Sequence, residues 1–243
     1  MRRFHSKDIN TESGVVRLDP EQSAHARSVL RLSKGDRAGV FDGNGNEFVC
    51  EIEEVGKREA LLRIISPADP PAPESPLDLI LAASLLKHDK FDLVIQKAVE
   101  LGVTRLVPVL SKRTEVQARK GGSRLVRWKK VIVETSKQCG RAKLMEIGTP
   151  SGISDISGVA ADLKIVFAER GGEGIPDAGN PRSVIALVGP EGGWEDEELR
   201  ELTDSRFHAV TLGRRILRAE TASIAAASIL QHRFGDLEPR PEG

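Results

Sequence analysis

Two segments concentrate the residues with chemical use. The first is Val188-Gly189-Pro190-Glu191-Gly192-Gly193-Trp194, which follows an apolar run and precedes an acidic stretch. Glycines at a strand end let backbone N–H and C=O groups approach a bound molecule closely. In open α/β sheets, ligands sit outside the carboxyl ends of the strands. Taken alone, the loop fits a plain strand-to-helix turn at least as well. The second segment is Leu212-Gly213-Arg214-Arg215-Ile216-Leu217-Arg218-Ala219-Glu220-Thr221-Ala222. Its three arginines and one glutamate are costly at a strand end unless they meet an anion, a carboxylate or a polar substrate. Ion pairing of Arg218 with Glu220 or Glu191 would serve equally. Glu195 to Glu198 carry four carboxylates where a helix begins, so that run complements the helix dipole and is structural.

Several other chemistries are absent. The chain has neither a G-x-x-x-x-G-K-[ST] phosphate loop nor a G-x-S-x-G elbow. Gly43-x-Gly45 starts like a dinucleotide fingerprint, but Phe48 stands at the third glycine position. The five histidines have no ligand spacing, and Cys50 and Cys139 are too few for a disulfide framework and too far apart for a metal knuckle, so no metal is expected. No apolar run approaches the about 20 residues of a membrane span. The first ten residues lack an apolar core, so no signal peptide and no membrane partner are expected, and the default location is cytoplasmic.

Net charge is zero, from 36 basic and 36 acidic residues. The distribution is uneven: 86–145 carry 15 Lys/Arg against 5 Asp/Glu, while 146–243 carry 10 against 17. Such asymmetry suits a polyanion on one face, or equally a set of solvated helices facing acidic segments elsewhere.

These residues need elements to hold them. Five prolines in 66–76 predict an extended linker, dividing a small domain at 1–66 from a larger one at 77–243. In the first, 20–32 reads as a helix with Asp19 as N-cap, and strands are expected at 38–41, 47–55 and 60–65. Asp42-Gly43-Asn44-Gly45 supplies the hairpin turn, and a small β-barrel follows. In the second, strands at 77–86, 103–110, 163–168, 184–188 and 209–212 alternate with helices at 91–101, 124–138, 195–203 and 221–234. That alternation predicts an α/β domain with a mostly parallel sheet. The last helix, apolar nearly all round, should be buried, in part in a subunit interface.

With both segments in hand, the chain resembles the RsmE branch of the SPOUT methyltransferases. Gly189-Pro190-Glu191-Gly192-Gly193 and Leu212-Gly213 with Leu217-Arg218 and Glu220-Thr221-Ala222 carry the likeness. Arg2-Arg3-Phe4, His25, Val29-Leu30-Arg31, Lys87, Lys90, Ile95-Gln96-Lys97-Ala98, Glu100-Leu101-Gly102-Val103, Arg127-Trp128, Gln138-Cys139-Gly140-Arg141 and Arg233-Phe234-Gly235-Asp236 extend it along nearly the whole chain. The resemblance implies an N-terminal PUA-like RNA-binding barrel and a C-terminal SPOUT α/β domain with a deep trefoil knot. It also implies a homodimer, S-adenosyl-L-methionine as methyl donor, and N3 of a uridine in 16S ribosomal RNA, free or in the small subunit, as acceptor. Lys112, Lys137 and Met145 depart from the family's usual residues.

Carried over by position, Val188, Gly189, Pro190, Glu191, Gly192, Leu212, Gly213, Ile216, Leu217 and Arg218 would wrap the cofactor, with Ala168 and Glu169 as the remaining wall. Transfer to N3 needs the proton removed and the base anion stabilised. Arg218 is the candidate for the second task, and Glu191 or Glu220 for the first. RNA contact falls to Arg2, Arg3, His25, Arg27, Arg31, Lys87, Arg113, Arg119, Lys120, Arg124 and Arg141. Two other functions fit the residues: a non-catalytic RNA-binding assembly factor, and a doubly wound enzyme with another nucleotide cofactor. The glycine-poor turn Leu86-Lys87-His88-Asp89 speaks against a Rossmann site.

Overall fold

The computed structural model describes residues 1–56, 58–87, 89–114 and 122–238. They form two compact units, one of Met1–Glu74 with Val133–Leu144, the other of Ser75–Ile132 with the chain from Met145 onward.

The first unit contains β1 (Arg2–His5), β2 (Asp8–Asn10), β3 (Val15–Leu18), α1 (Pro20–Ala24), β4 (Arg37–Phe41), β5 (Glu47–Val55) and β6 (Ala60–Ala68). The sheet order is β1-β4-β5-β6-β3-β2, antiparallel except for β1 beside β4. The ends of this order meet at Ser6. Its N–H donates to Phe41 O of β4, and its hydroxyl donates to Arg17 O of β3 at 2.6 Å. Phe4, Val16, Leu18, Ala26, Val40, Cys50, Ile52 and Leu62 fill the interior so enclosed. Breaks of register at Val49/Cys50 and Ile52/Glu54 give β5 the bend that such curling needs.

Two expectations change here. The helix expected over 20–32 ends early. Asp19 caps α1 as anticipated, accepting from Gln22 N, but His25–Val29 form a π-helical turn. Leu32 N then donates to Ala26 O across Arg31, whose φ of 55° is left-handed. This is a left-handed helix cap, one residue wider than usual. The strand expected over 60–65 runs on to Ala68, into the proline-rich segment. Beyond Arg63 it has no β3 partner, so Pro67 lies where no N–H is demanded. The compact units part between Glu74 and Ser75, within the proline-rich segment, and Val133–Leu144 also belongs to the first. Lys137 Nζ donates to Gln22 Oε1 at 3.1 Å, Leu144 N to Gly43 O, and Ala72 N to Gly140 O. The short strands β1, β2 and β3 carry too little pattern to be read.

The second unit contains β7 (Asp78–Ser84), α2 (Asp89–Glu100), β8 (Arg105–Leu110), the first part of α3 (Gly122–Cys139), β9 (Glu146–Ile147), β10 (Ser151–Gly152), α4 (Ile153–Ser157), β11 (Leu163–Phe167), β12 (Ser183–Val188), α5 (Asp196–Asp204), β13 (His208–Val210) and α6 (Ala219–Phe234). Its strands are parallel in the order β10-β8-β7-β12-β11-β13, with β9 also on β8. A parallel sheet is covered on both faces, which is why β7, β8 and β12 read as nearly continuous apolar runs and β11 is broken only by Lys164. Helix α6 packs against α2 and lies on β7 and β12. Ile80, Ala82, Val107, Ile185 and Leu187 meet Ile153, Ile156, Leu202 and Phe207. Helix α2 ends where expected: Gly102 has φ 70° and Val103 N closes on Ala98 O. In α6, Ala226 and Leu230 are fully buried within the protomer, whereas Ile229 is exposed.

Candidate active site

Strands β11, β12 and β13 are neighbours, and their carboxyl ends open into one pocket. Phe167, Ala168 and Glu169 leave β11, Val188, Gly189 and Pro190 leave β12, and Thr211 and Leu212 leave β13. The segment from Arg215 to Leu217 and the first turns of α6, through Ala219 and Ala222, complete the wall. Loops distant in sequence are thus brought together by parallel strand register, Phe167 standing beside both Val188 and Val210.

The glycine loop is built against Trp194. Gly193 N donates to Pro190 O, closing a turn, and Gly193 takes φ 70°. The Trp194 indole is buried, and its Nε1 donates to Phe167 O at 2.9 Å, locking the loop after β12 to the end of β11. A Cβ on Gly189 would stand 3.0 Å from two indole atoms. The glycine is therefore there to let Trp194 close in. Helix α5 follows with its own cap: Glu198 Oε2 accepts from Glu195 N, and Glu198 Oε1 accepts from Lys112 N at 2.8 Å. The acidic run is structural, as its position implied.

The expected cofactor residues separate. Ala168, Glu169, Val188, Gly189, Pro190, Leu212, Ile216 and Leu217 line the pocket. Glu191, Gly192, Gly213 and Arg218 do not. Gly192 O accepts from Arg113 Nη1 at 2.8 Å, and Gly213 turns the chain at φ 70°. Phe167, Gly193, Trp194, Thr211, Arg215, Ala219 and Ala222 also line it; Gly193 and Trp194 stand in the glycine loop and Arg215, Ala219 and Ala222 in the arginine segment, whereas Phe167 and Thr211 carry no signal beyond adjacency.

The three candidate catalytic groups differ sharply. Glu191 accepts from Lys90 Nζ at 2.8 Å. That hydrogen bond holds its carboxyl below the usual carboxylate range and raises the Lys90 ammonium. Glu220, in the first turn of α6, has a buried Oε2 with no hydrogen-bond partner. Arg218 is the N-cap residue of α6 and is exposed. The ion pairs considered for Arg218 with Glu191 or Glu220 do not form among the described residues.

Of the residues expected at RNA, Arg2, Arg27 and Arg31 are exposed and His25 is half-buried, edge-on to Phe4. Lys87 and Arg124 come together in a recess with Leu85, Leu86, Phe91, Asp92, Arg127 and Trp128 at the carboxyl end of β7. Arg119 and Lys120 lie outside the described residues. Two assignments are corrected. Arg3 is turned inward, bidentate on Glu47 at 2.7 and 2.9 Å, and donates to Ser136 O at 2.7 Å. Arg141 is likewise buried, bidentate on Glu74 at 2.6 and 3.1 Å. Neither guanidinium is available to a phosphate. Arg113 is half-exposed but holds Gly192 O and Glu195. The departure at Lys112 is matched locally by Glu197 and Glu195, and that at Lys137 by Glu134 and the Phe4 ring.

Residues 73–231 match the family model of the RNA methyltransferase domain, and 18–65 match that of the RNA methyltransferase PUA domain. The ribosomal RNA small subunit methyltransferase E of Buchnera aphidicola is 31% identical over 97% of each chain. That of Aquifex aeolicus is 30% identical over 96% of this chain and all of its own. Among solved structures, a Legionella pneumophila methyltransferase with bound cofactor SAM has a TM-score of 0.91 at 32% identity, covering 98% and 99% of the two chains. The ribosomal RNA small subunit methyltransferase E of Neisseria gonorrhoeae bound to S-adenosyl methionine has a TM-score of 0.90 at 32% identity, covering 98% and 100%.

Proposed function

The chain belongs to the ribosomal RNA small subunit methyltransferase E family, and on that premise we propose that it methylates N3 of a uridine in 16S ribosomal RNA. S-adenosyl-L-methionine is the donor, and the protein works as a knotted homodimer in the cytoplasm. The observation that carries the reading is the pocket at the joined carboxyl ends of β11, β12 and β13, floored by Trp194.

The residues present suit the cofactor. Apolar side chains of Val188, Leu212, Ile216 and Leu217 line the pocket, and Gly189 lets the Trp194 indole close in beside them. When bound, S-adenosylmethionine supplies an electrophilic methyl group on a sulfonium. The chain's own work is on the acceptor. Glu220 takes the N3 proton: its Oε2 is buried and has no hydrogen to accept, so it gains a partner by doing so. Glu191 is committed to Lys90 and is the weaker base. Arg218, exposed beside Glu220, donates to a carbonyl oxygen of the base as negative charge grows there. The Lys87–Arg124 recess with Phe91 and Trp128 receives the RNA around the target.

The test is methyl transfer from labelled S-adenosylmethionine to small-subunit RNA or subunits, with the product nucleoside identified by mass spectrometry. The expected product is 3-methyluridine. Label on another base, or cofactor binding without transfer, would overturn the reading.

A further inference from the structure

The first unit holds a cleft that the methyl-transfer site does not use. Its floor is His5, Ile9, Phe48 and Leu144, and Asp42, Asn44, Asn46, Lys7 and Thr11 stand around it. The Asp42–Asn46 hairpin turn is rigid. Asp42 Oδ1 accepts from Asn44 N at 2.7 Å and Asn46 N at 3.1 Å, and Oδ2 accepts from Asn46 Nδ2 at 2.7 Å. The one carboxylate of the cleft is therefore already occupied by donors of its own turn. Gly43 is held at φ 83°, and a Cβ there would stand 3.0 Å from Leu144 and 3.1 Å from His5 Nε2. Glycine keeps the floor open.

The chemistry around the cleft is that of a base-and-phosphate seat. His5 is buried against Phe41, and its burial, with Lys7 nearby, lowers its pKa and favours the neutral imidazole. Imidazole, phenyl and aliphatic groups make a surface on which a base can lie, and side-chain amides and a hydroxyl stand at its edge. Lys7 is exposed at the rim, and Lys143, exposed too, is bridged through its backbone to Gly43 and Asn44. Lys143 belongs to the basic stretch read from the sequence and is part of the first unit, whereas the methyl-transfer pocket is built from the second.

We infer that this cleft seats one unpaired nucleotide of the RNA, other than the methylated one, with its base on His5 and Phe48 and its phosphates on Lys7 and Lys143. The inference rests on the RNA-methyltransferase reading above and extends it to an anchoring site. A single-stranded occupant is required, because a base in a duplex is stacked and cannot enter a recess.

The test uses the full chain and short ribonucleotides. A fluorescent single-stranded hexaribonucleotide of mixed sequence, and the same strand annealed to its complement, are titrated into wild type, Lys7→Ala/Lys143→Ala and Thr11→Ala/Asn44→Ala. Affinity for S-adenosylmethionine and the unfolding temperature are measured in parallel. Both double variants should bind the single strand about tenfold or more weakly, with unchanged cofactor affinity and unfolding temperature. The lysine pair should also lower the salt slope by about 1.4, two contacts at about 0.7 each for a single strand. The duplex should compete poorly. Variants that bind the single strand like wild type, or a duplex bound as tightly as the single strand, overturn the inference. Wild type that fails to bind S-adenosylmethionine would instead count against the methyl-transfer reading.

Discussion

Gly189 offers a sharp test of how the pocket is built. Its φ is not left-handed, so alanine suits the backbone and only the added methyl group is tested. That methyl would stand 3.0 Å from Trp194 Cε2 and Nε1, some tenths of an ångström inside ordinary contact. The indole cannot simply swing away, because it is buried and tied to Phe167 O at 2.9 Å. Overpacking of this kind costs about 1–3 kcal/mol, which in a chain of this size lowers the unfolding temperature by about 2–12 °C. Gly189 and Trp194 both line the pocket, so displacement of the indole also narrows it. Cofactor affinity should fall by about tenfold, equivalent to about 1.4 kcal/mol. Calorimetric titration with S-adenosylmethionine and a thermal melt measure the two effects. Trp194→Leu removes the crowding atoms, so the double variant should be more stable than the sum of the single effects by about 1 kcal/mol. A Gly189→Ala protein that melts and binds cofactor like wild type, or a strictly additive double variant, would show that Trp194 does not shape the pocket.

Other outcomes follow from the same site. Arg218→Ala should lower kcat by about 10²–10³ with an unchanged melt, since the side chain is exposed; near-normal turnover at saturating substrate would remove its role. Glu220→Gln should lower kcat by about 10²–10⁴, and Glu191→Gln far less; a slower Glu191→Gln enzyme would reverse the assignment. Because Lys90 depresses the Glu191 pKa, the pair's contribution to stability is whole above the usual carboxylate range and fades as pH falls through the depressed value. Glu191→Gln should therefore melt below wild type at neutral pH and match it in acid, and a constant gap across pH would refute the pairing. Ala226→Glu places an unpartnered charge at a fully buried position of α6 and should cost about 3–5 kcal/mol, seen as loss of soluble protein; a soluble, active variant would show that the helix is not packed there.

The sheet and the pocket were legible for one reason. A parallel strand buried on both faces must be apolar throughout, so the runs at Leu79–Ala83 and Val184–Val188 stand out, and the glycine and arginine segments after them mark the carboxyl ends. Register then does the rest, since Phe167 beside Val188 and Val210 puts three loops in one place. A knot is implied by family resemblance alone, because periodicity describes elements and never the path of one through another. The two-residue strands β9 and β10 and the five-residue α4 are shorter than one period of the patterns that reveal elements.

Direction, not residue type, was the hidden quantity among the basic residues expected at RNA. Arg3 and Arg141 resemble Arg2 and Arg124 in sequence, yet their partners Glu47 and Glu74 lie 44 and 67 residues away. Residue type gave no sign of it, because Glu47 shares β5 with Glu51, Glu53 and Glu54; only its buried side chain shows that this carboxylate needs a cation. Applying that rule in reverse changes the electrostatics of the first unit. Arg3, Arg141 and Lys137 neutralise or contact groups inside it and contribute little to the field outside. The positive charge left facing solvent includes Arg2, Arg27, Arg31, Lys7 and Lys143, and two of those five flank the cleft at Asn44. An RNA strand attracted to this unit therefore meets its charge beside a recess for a base, and the salt slope of binding should be set by those exposed residues rather than by the total count of arginines.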